Sequence, residues 1–257
     1  MNVLITGASA GIGRELARLY GMQGDHLLLV GRNAEKLFET KYLVEQEGGT
    51  AEVYPYDIGQ PLHIEALLRA TKDDSVDLLI NNAGFGLFGE FLETELSREL
   101  NMIDVNIRAL THLTKAYAQR MRDQGIQGRI VQIASTAAFQ AGPFLAVYYA
   151  TKAYVLSFSE ALAEELAPYG IQVTAVCPGA THTDFEATAG LSASRLFKRP
   201  GIMDAPTVAK LSFDGYMQGK TLVIPGASNA FYVFLTRLLP RQTLTKMSAS
   251  VQAPLKE

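Results

Sequence analysis

Seven short β-rich runs separated by helical stretches constrain this chain most. Strands joined by helices pair in parallel, and a parallel sheet must be covered on both faces. The runs are Asn2–Thr6, His26–Val30, Glu52–Tyr56, Leu78–Asn81, Arg129–Ala134, Gln172–Cys177 and Thr221–Ile224. Between the first two, Leu16, Leu19 and Tyr20 share one face of a helix predicted over Gly13–Gln23. Longer helices are predicted over Glu95–Arg122 and Val147–Pro168. Asp204-Ala205-Pro206 reads as a helix start with proline in the first turn. With no internal repeat or low-complexity linker, the pattern predicts one doubly wound α/β domain over residues 1–228, with a seven-stranded parallel sheet and helices on both faces. An apolar helix and a polar tail are expected over 229–257.

An apolar content of 48% suits a fully covered sheet, and a net charge of -3 argues against broad nucleic-acid binding. The only cysteine, Cys177, excludes an intrachain disulfide and a cysteine-rich metal site, and reads as a small buried hydrophobe. Met1–Thr6 runs straight into a glycine-rich loop, so no signal peptide is read and a cytoplasmic address is expected. Asn229–Arg241 is rich in apolar residues from Ala230 to Leu239 but falls short of the ~20 that a membrane span needs. It reads as a helix packed on the body, a subunit contact or a membrane-surface helix, the first two favoured over lipid. Gln242–Glu257 is polar and expected to be loosely ordered.

The loop Thr6-Gly7-Ala8-Ser9-Ala10-Gly11-Ile12-Gly13 joins the first strand to the first helix. Glycines there let a turn approach a pyrophosphate while the helix N-terminus faces it. Gly7, Ser9, Ala10, Gly11, Ile12 and Gly13 are therefore candidate cofactor contacts. The second strand ends Val30-Gly31-Arg32-Asn33, with no carboxylate where an NAD site places one for the ribose hydroxyls. A guanidinium at Arg32 can pair a 2′-phosphate, so NADP(H) is expected over NAD(H), with Arg14 as a second positive group. The competing reading of Arg32 is a plain surface arginine. Asp57-Ile58 and Asn81-Asn82-Ala83-Gly84 follow the third and fourth strands, at the carboxyl ends where open α/β sheets bind ligands. Asp57 reads either as an acceptor for an adenine amino group or as a cap for the helix near Pro61.

Tyr148 and Lys152 lie four apart on a predicted helix and so share a face. A phenol's reference pKa of ~10 is too high for acid–base work near neutrality, and lowering it by ~3 units takes about 4 kcal/mol. An ammonium about 4 Å away at an effective dielectric near 20 supplies about that much. Tyr149, one residue on, points about 100° away and reads as packing or pocket lining. A dinucleotide loop upstream of this pair suggests hydride transfer.

Thr6–Gly13, Asp57, Asn81–Gly84, Asn106, Ser135, Tyr148–Lys152 and Pro178-Gly179 with Thr183 occur in this order, Tyr148 following Ser135 by thirteen positions. In this ordered set the chain resembles the short-chain dehydrogenases/reductases over roughly residues 2–225. The resemblance implies a Rossmann fold and an oxidoreductase in which Tyr148 donates or accepts the proton. It implies further that Ser135 holds the substrate oxygen, Lys152 bonds the nicotinamide ribose and Asn106 holds a relay water. The alternative reading of Asn106 is an asparagine binding backbone in a helix kink. Ala83, Gly84, Pro178, Gly179 and Thr183 are carried over as cofactor contacts, with Thr183 at the nicotinamide amide, while His182 reads as a loop histidine. A homodimer or homotetramer through the helices holding Asn106 and Tyr148 is implied.

Apolar residues crowd the segments expected to border the nicotinamide: Phe85, Leu87, Phe88, Phe139, Pro143, Phe144, Phe185, Leu191, Leu196 and Phe197. With residues 180–203 as a substrate lid, they predict a small lipophilic ketone, aldehyde or secondary alcohol as substrate. A dinucleotide-binding regulatory or scaffold protein without turnover is the competing class.

Overall fold

The computed structural model describes residues 1–191, 194–198 and 201–254. Seven parallel strands form one sheet: β1 (Asn2–Thr6), β2 (His26–Val30), β3 (Thr50–Tyr54), β4 (Leu78–Asn81), β5 (Arg129–Ile133), β6 (Gln172–Val176) and, after two short strands introduced below, β9 (Leu222–Val223). Their order is β3-β2-β1-β4-β5-β6-β9, so the chain winds outward in one direction from β1, then in the other from β4. This is the doubly wound Rossmann arrangement expected.

Alternation along the strands explains why both faces need helices. Val3 and Ile5 of β1 join one apolar cluster with Leu27 and Leu29 of β2, while Leu4, Leu28 and Val30 join another. The first cluster is closed by α1 (Gly11–Gly21) and α8 (Ala205–Met217), through Leu16, Tyr20 and Tyr216. The second is closed by α3 (Pro61–Ala70) and α5 (Leu110–Asp123), through Leu67, Leu113 and Tyr117. Tyr20 and Tyr216, both buried, also share a hydroxyl–hydroxyl bond of 2.9 Å.

Several elements differ from their expected bounds. The third strand was expected at Glu52–Tyr56 but runs from Thr50, because its pairing with β2 begins at His26 opposite Thr50. Tyr56 then falls in the loop that borders the cavity described below. The long helix Glu95–Arg122 is interrupted: α4 (Leu96–Ile103) passes through a π-helical turn at Asp104–Ala109 into α5. The helix α6 (Ala146–Leu166) carries Tyr148 and Lys152. Asp204 caps α8 as its position suggests, accepting from the Thr207 N–H at 2.9 Å.

Beyond β6, two short parallel strands, β7 (Thr181–His182) and β8 (Met203–Asp204), bracket a segment containing α7 (Asp184–Thr188). The C-terminal region is helical rather than loosely ordered. After α9 (Ala227–Thr236), α10 (Arg241–Gln252) buries Leu244, Ser248 and Gln252. Residues 255–257 lie outside the described ones.

Candidate active site

The carboxyl ends of β1, β2, β4, β5 and β6 open into one cavity of about 940 Å³. Every residue read as a cofactor contact borders it except Gly13. Gly7 and Gly11 adopt φ of +67° and +55°, a region closed to most side chains. A Cβ on Gly11 would stand 3.1 Å from the Thr183 methyl. Gly13 has a packing role instead: a Cβ there would overlap the Gly7 carbonyl and the Asn82 amide, so its absence lets α1 close on the loop.

The loop and the fourth strand are clipped together. The Thr6 hydroxyl accepts from the backbone N–H groups of Asn82 (3.1 Å) and Ala83 (3.0 Å). The Asn82 amide in turn donates to the carbonyls of Thr6 and Gly7. No side chain caps α1 and no acid stands in its first turn, leaving the first-turn N–H groups without a side-chain partner. That end of the cavity fits a phosphate-bearing ligand by backbone donors and helix dipole.

Arg32 is exposed at the rim and enters no ion pair among the described residues. Arg14, read as a second positive group, does not line the cavity. Its guanidinium is taken up by the Ser9 carbonyl (2.7 Å), the Thr40 hydroxyl (3.1 Å) and Glu39 (2.9 Å), which tie α1 to α2 (Ala34–Gln46). The cation that does line the rim with Arg32 is Lys36, on α2, bound to Asp184 of α7 at 2.7 Å. Asp57 does not cap the helix after it. Its carboxylate accepts from the Gly59 N–H at 3.0 Å, and Gln60 is the N-cap residue of α3.

At the other end, Ser135 follows β5, its Oγ 3.1 Å from the Ala137 N–H. Tyr148 and Lys152 rise from the first turns of α6. The Lys152 Nζ lies 5.8 Å from the centre of the Tyr148 ring and donates to the Ile133 carbonyl at 2.7 Å. Burial pushes the Tyr148 phenol well above its ordinary value, the Ser135 hydroxyl opposing this in part. Burial pushes Lys152 down to about 8.

Asn106 does not line the cavity. It is buried in the π-helical turn behind it. Its Oδ1 accepts from the Phe85 N–H (3.1 Å), and its Nδ2 donates to the Phe85 carbonyl and to the Thr151 hydroxyl (3.0 Å each). A Cβ at Gly84 would stand 3.1 Å from Asn106 Oδ1 and 3.3 Å from Lys152 Nζ, so this glycine keeps the two polar groups close. Thr183 caps α7, accepting from the Phe185 N–H at 3.2 Å. His182 lies outside the lining, 3.7 Å from Glu186.

The apolar wall differs from the expected one. Phe85, Phe185, Leu191 and Leu196 line the cavity; Leu87, Phe88, Phe139, Pro143 and Phe144 do not, Phe88 packing on Phe144 at 6.1 Å. The Phe197 side chain lies outside the described ones. Sequence reasoning missed the C-terminal wall, where Asn229 and Tyr232 of α9 and Met247, Ser248, Val251 and Gln252 of α10 complete the cavity. Gln252 donates to the Tyr149 hydroxyl, and Tyr232 to Gln140 at 2.7 Å. Cys177 is buried, as expected, against Val155 and Ala175. Among the described residues no acidic, histidine or cysteine cluster could hold a metal, and no helix is long and apolar enough to cross a membrane.

Comparison with known proteins agrees with this architecture. A model of the short chain dehydrogenase family matches residues 1–193. The ketoacyl reductase HetN of Nostoc is 31% identical over 240 residues, covering 92% of this chain and 82% of HetN. The probable oxidoreductase EphD of Mycobacterium tuberculosis is 32% identical over 193 residues, 74% of this chain, and the chain spans only about a third (33%) of its length. Among solved structures, a short-chain dehydrogenase from Sphingobium yanoikuyae in complex with NADPH superposes with a TM-score of 0.84 at 33% identity, covering 100% of this chain and 98% of the other. The bulky-bulky ketone specific alcohol dehydrogenase from Comamonas testosteroni gives 0.78 at 31% identity, over 100% and 97%.

Proposed function

Because the chain belongs to the short-chain dehydrogenase/reductase family, we propose that it is an NADP(H)-dependent reductase of lipophilic ketones or aldehydes, or a dehydrogenase of the matching secondary alcohols. As a family member it is an oxidoreductase acting on CH–OH groups with NAD(P). The observation that carries the finer reading is one continuous cavity, which joins the glycine loop and Arg32 at one end to Ser135, Tyr148 and Lys152 at the other.

The glycine loop, the α1 N-terminus, Asp57, Ile58 and Asn82–Gly84 would hold the dinucleotide, together with Pro178, Gly179 and Thr183. When bound, it supplies or accepts the hydride. Arg32 and Lys36 favour a 2′-phosphate over a bare hydroxyl by charge-assisted bonds. The Ser135 hydroxyl hydrogen-bonds the substrate oxygen and stabilises charge developing there. Tyr148, kept protonated at neutral pH by burial, donates its proton to that oxygen in reduction and accepts it in oxidation. Lys152, cationic below about 8, stabilises the phenolate left behind. Asn106 holds the Phe85 backbone and Thr151 around this lysine.

The lipophilic substrate class follows from Phe85, Phe185, Leu191 and Leu196 in the wall, and from the ketone named for the Comamonas enzyme. A homo-oligomer through α4 and α6 is supported by Leu96, Leu100 and Ile103, which leave an exposed stripe on α4, and by Tyr154 on α6. The test is NADPH consumption by purified protein across hydrophobic ketones and aldehydes, with NADH and Tyr148→Phe alongside. Turnover that prefers NADPH and disappears in Tyr148→Phe is expected. Equal use of NADH, or activity surviving in that variant, overturns the corresponding half of the reading.

A further inference from the structure

We propose that the helix pair α9–α10 docks this protein on an anionic lipid–water interface. Phe231 and Phe234 stand three apart on α9 and Leu238 follows in the turn after it, and the three are 63%, 54% and 64% exposed. The body of the protein does not cover them: α9 turns Val233 inward and Asn229 and Tyr232 toward the cavity. Packing on the body, one of the favoured readings of this segment, is therefore not what these three side chains do.

Charge chooses between the remaining occupants. Residues 1–214 carry 18 Lys and Arg against 25 Asp and Glu, whereas residues 215–257 carry five against one, Glu257. Arg237 and Arg241 flank the apolar stripe and Lys246 follows on α10; all three are exposed and enter no ion pair among the described residues. A second copy of this chain docking by a two-fold contact would bring these cations against their own equivalents. An anionic leaflet offers both an apolar phase for the aromatic and leucine side chains and counter-charge for the cations. Three cations at such a surface strengthen attachment by about a hundredfold over a neutral one. Met247, which lines the cavity and is 46% exposed, places this surface beside the cavity wall. Lipophilic molecules dissolved in a bilayer would thus meet the site at its entrance; this last step rests on the substrate reading, the docking itself does not.

The experiment is co-sedimentation of the full chain with phosphatidylcholine vesicles and with vesicles that also contain phosphatidylglycerol, at low and high salt. Binding to the anionic vesicles at least about tenfold above the neutral ones, weakened by salt, is expected. Phe231→Ser/Phe234→Ser/Leu238→Ser and Arg237→Gln/Arg241→Gln/Lys246→Gln should each lower it at least about tenfold. Their melting temperatures and sedimentation in solution should match the parent. Equal binding to both vesicle types, or full binding by either variant, overturns the proposal. So does an apolar variant that dissociates a dimer while leaving vesicle binding intact, which would assign the face to subunit contact. A failure of NADPH turnover would leave these readouts untouched.

Discussion

Burial acts on Tyr148 and Lys152 in the same direction, toward the uncharged form of each. For the phenol this keeps the proton needed for reduction; for the lysine it carries a cost in stability. A lysine held at about 8 against an ordinary 10.5 makes the unfolded chain the stronger proton binder between those values. Stability contributed by this site therefore rises with pH from about 8 to about 10.5, and below 8 the cost is carried in full. Lys152→Met removes the cost and forfeits the bond to Ile133, for a net gain of about 2 kcal/mol at pH 7. Thermal melts should show the variant more stable at pH 7 and its advantage fading by pH 10.5, while turnover is lost. A gap independent of pH would mean that Lys152 is not held as argued. Arg32 carries a second expectation at this scale. One charge-assisted bond to a 2′-phosphate is worth about 1.5–3 kcal/mol, so Arg32→Ala should raise KM for NADPH by roughly ten- to a hundredfold and leave NADH unchanged. Tyr148 and Lys152 were legible because four residues on a helix is a spatial relation that spacing alone states. The part played by Arg14 was not, since only the fold brings Glu39 and Thr40 to its guanidinium.

Among the elements, the π-helical turn at Asp104–Ala109 decides how Asn106 is used. Such a turn inserts one extra residue into the helix and shifts which side chains face the neighbouring loop. Here the Asn106 amide satisfies both the N–H and the C=O of Phe85 and reaches Thr151 beside Lys152. Asn106→Ala would leave those partly buried groups unpaired, at about 2–6 kcal/mol from two groups costing ~1–3 each. Thr151→Val deletes one partner only and should cost about 1 kcal/mol. Denaturant unfolding of the two variants tests the ranking, and equal losses would show that the asparagine does not organise the turn. Apolar periodicity predicted the long helix but not its interruption, because one inserted residue shifts the hydrogen-bond register without breaking the buried pattern. The slip at β3 has a related origin: Val53, Tyr54 and Tyr56 read as strand by composition, whereas pairing with β2 fixes where the strand begins. Both kinds of detail belong to partners rather than to the segment itself.

Across the whole molecule, the segment between β7 and β8 and the C-terminal helix hold one another. The Ser194 hydroxyl donates to the Gln252 carbonyl (3.2 Å), the Arg195 N–H donates to the Ala253 carbonyl (3.2 Å), and Ser194 bridges to Pro254. From the same helix, Gln252 reaches the hydroxyl of Tyr149, next to Tyr148. The seven-stranded order could be read from alternating runs, since each strand shows its burial in its own residues. The polar look of Gln242–Glu257 concealed its place, because of the three residues α10 buries, Leu244, Ser248 and Gln252, two are polar. Removing residues 241–257 should therefore separate the two ends of the cavity. The glycine loop, Arg32 and Asp57 keep all their supports, so NADPH affinity should change by less than about threefold, under 1 kcal/mol. The substrate end loses Met247, Ser248, Val251 and Gln252 from its wall, along with the anchor of the segment that carries Leu191 and Leu196. KM for a hydrophobic ketone should rise by about tenfold or more, the effect of deleting one or two apolar contacts worth about 1–3 kcal/mol. NADPH titration by fluorescence beside steady-state kinetics reads the two ends apart. An equal loss of both affinities would show that the tail supports the sheet itself, whereas a loss confined to the ketone would make α10 a wall of the substrate site.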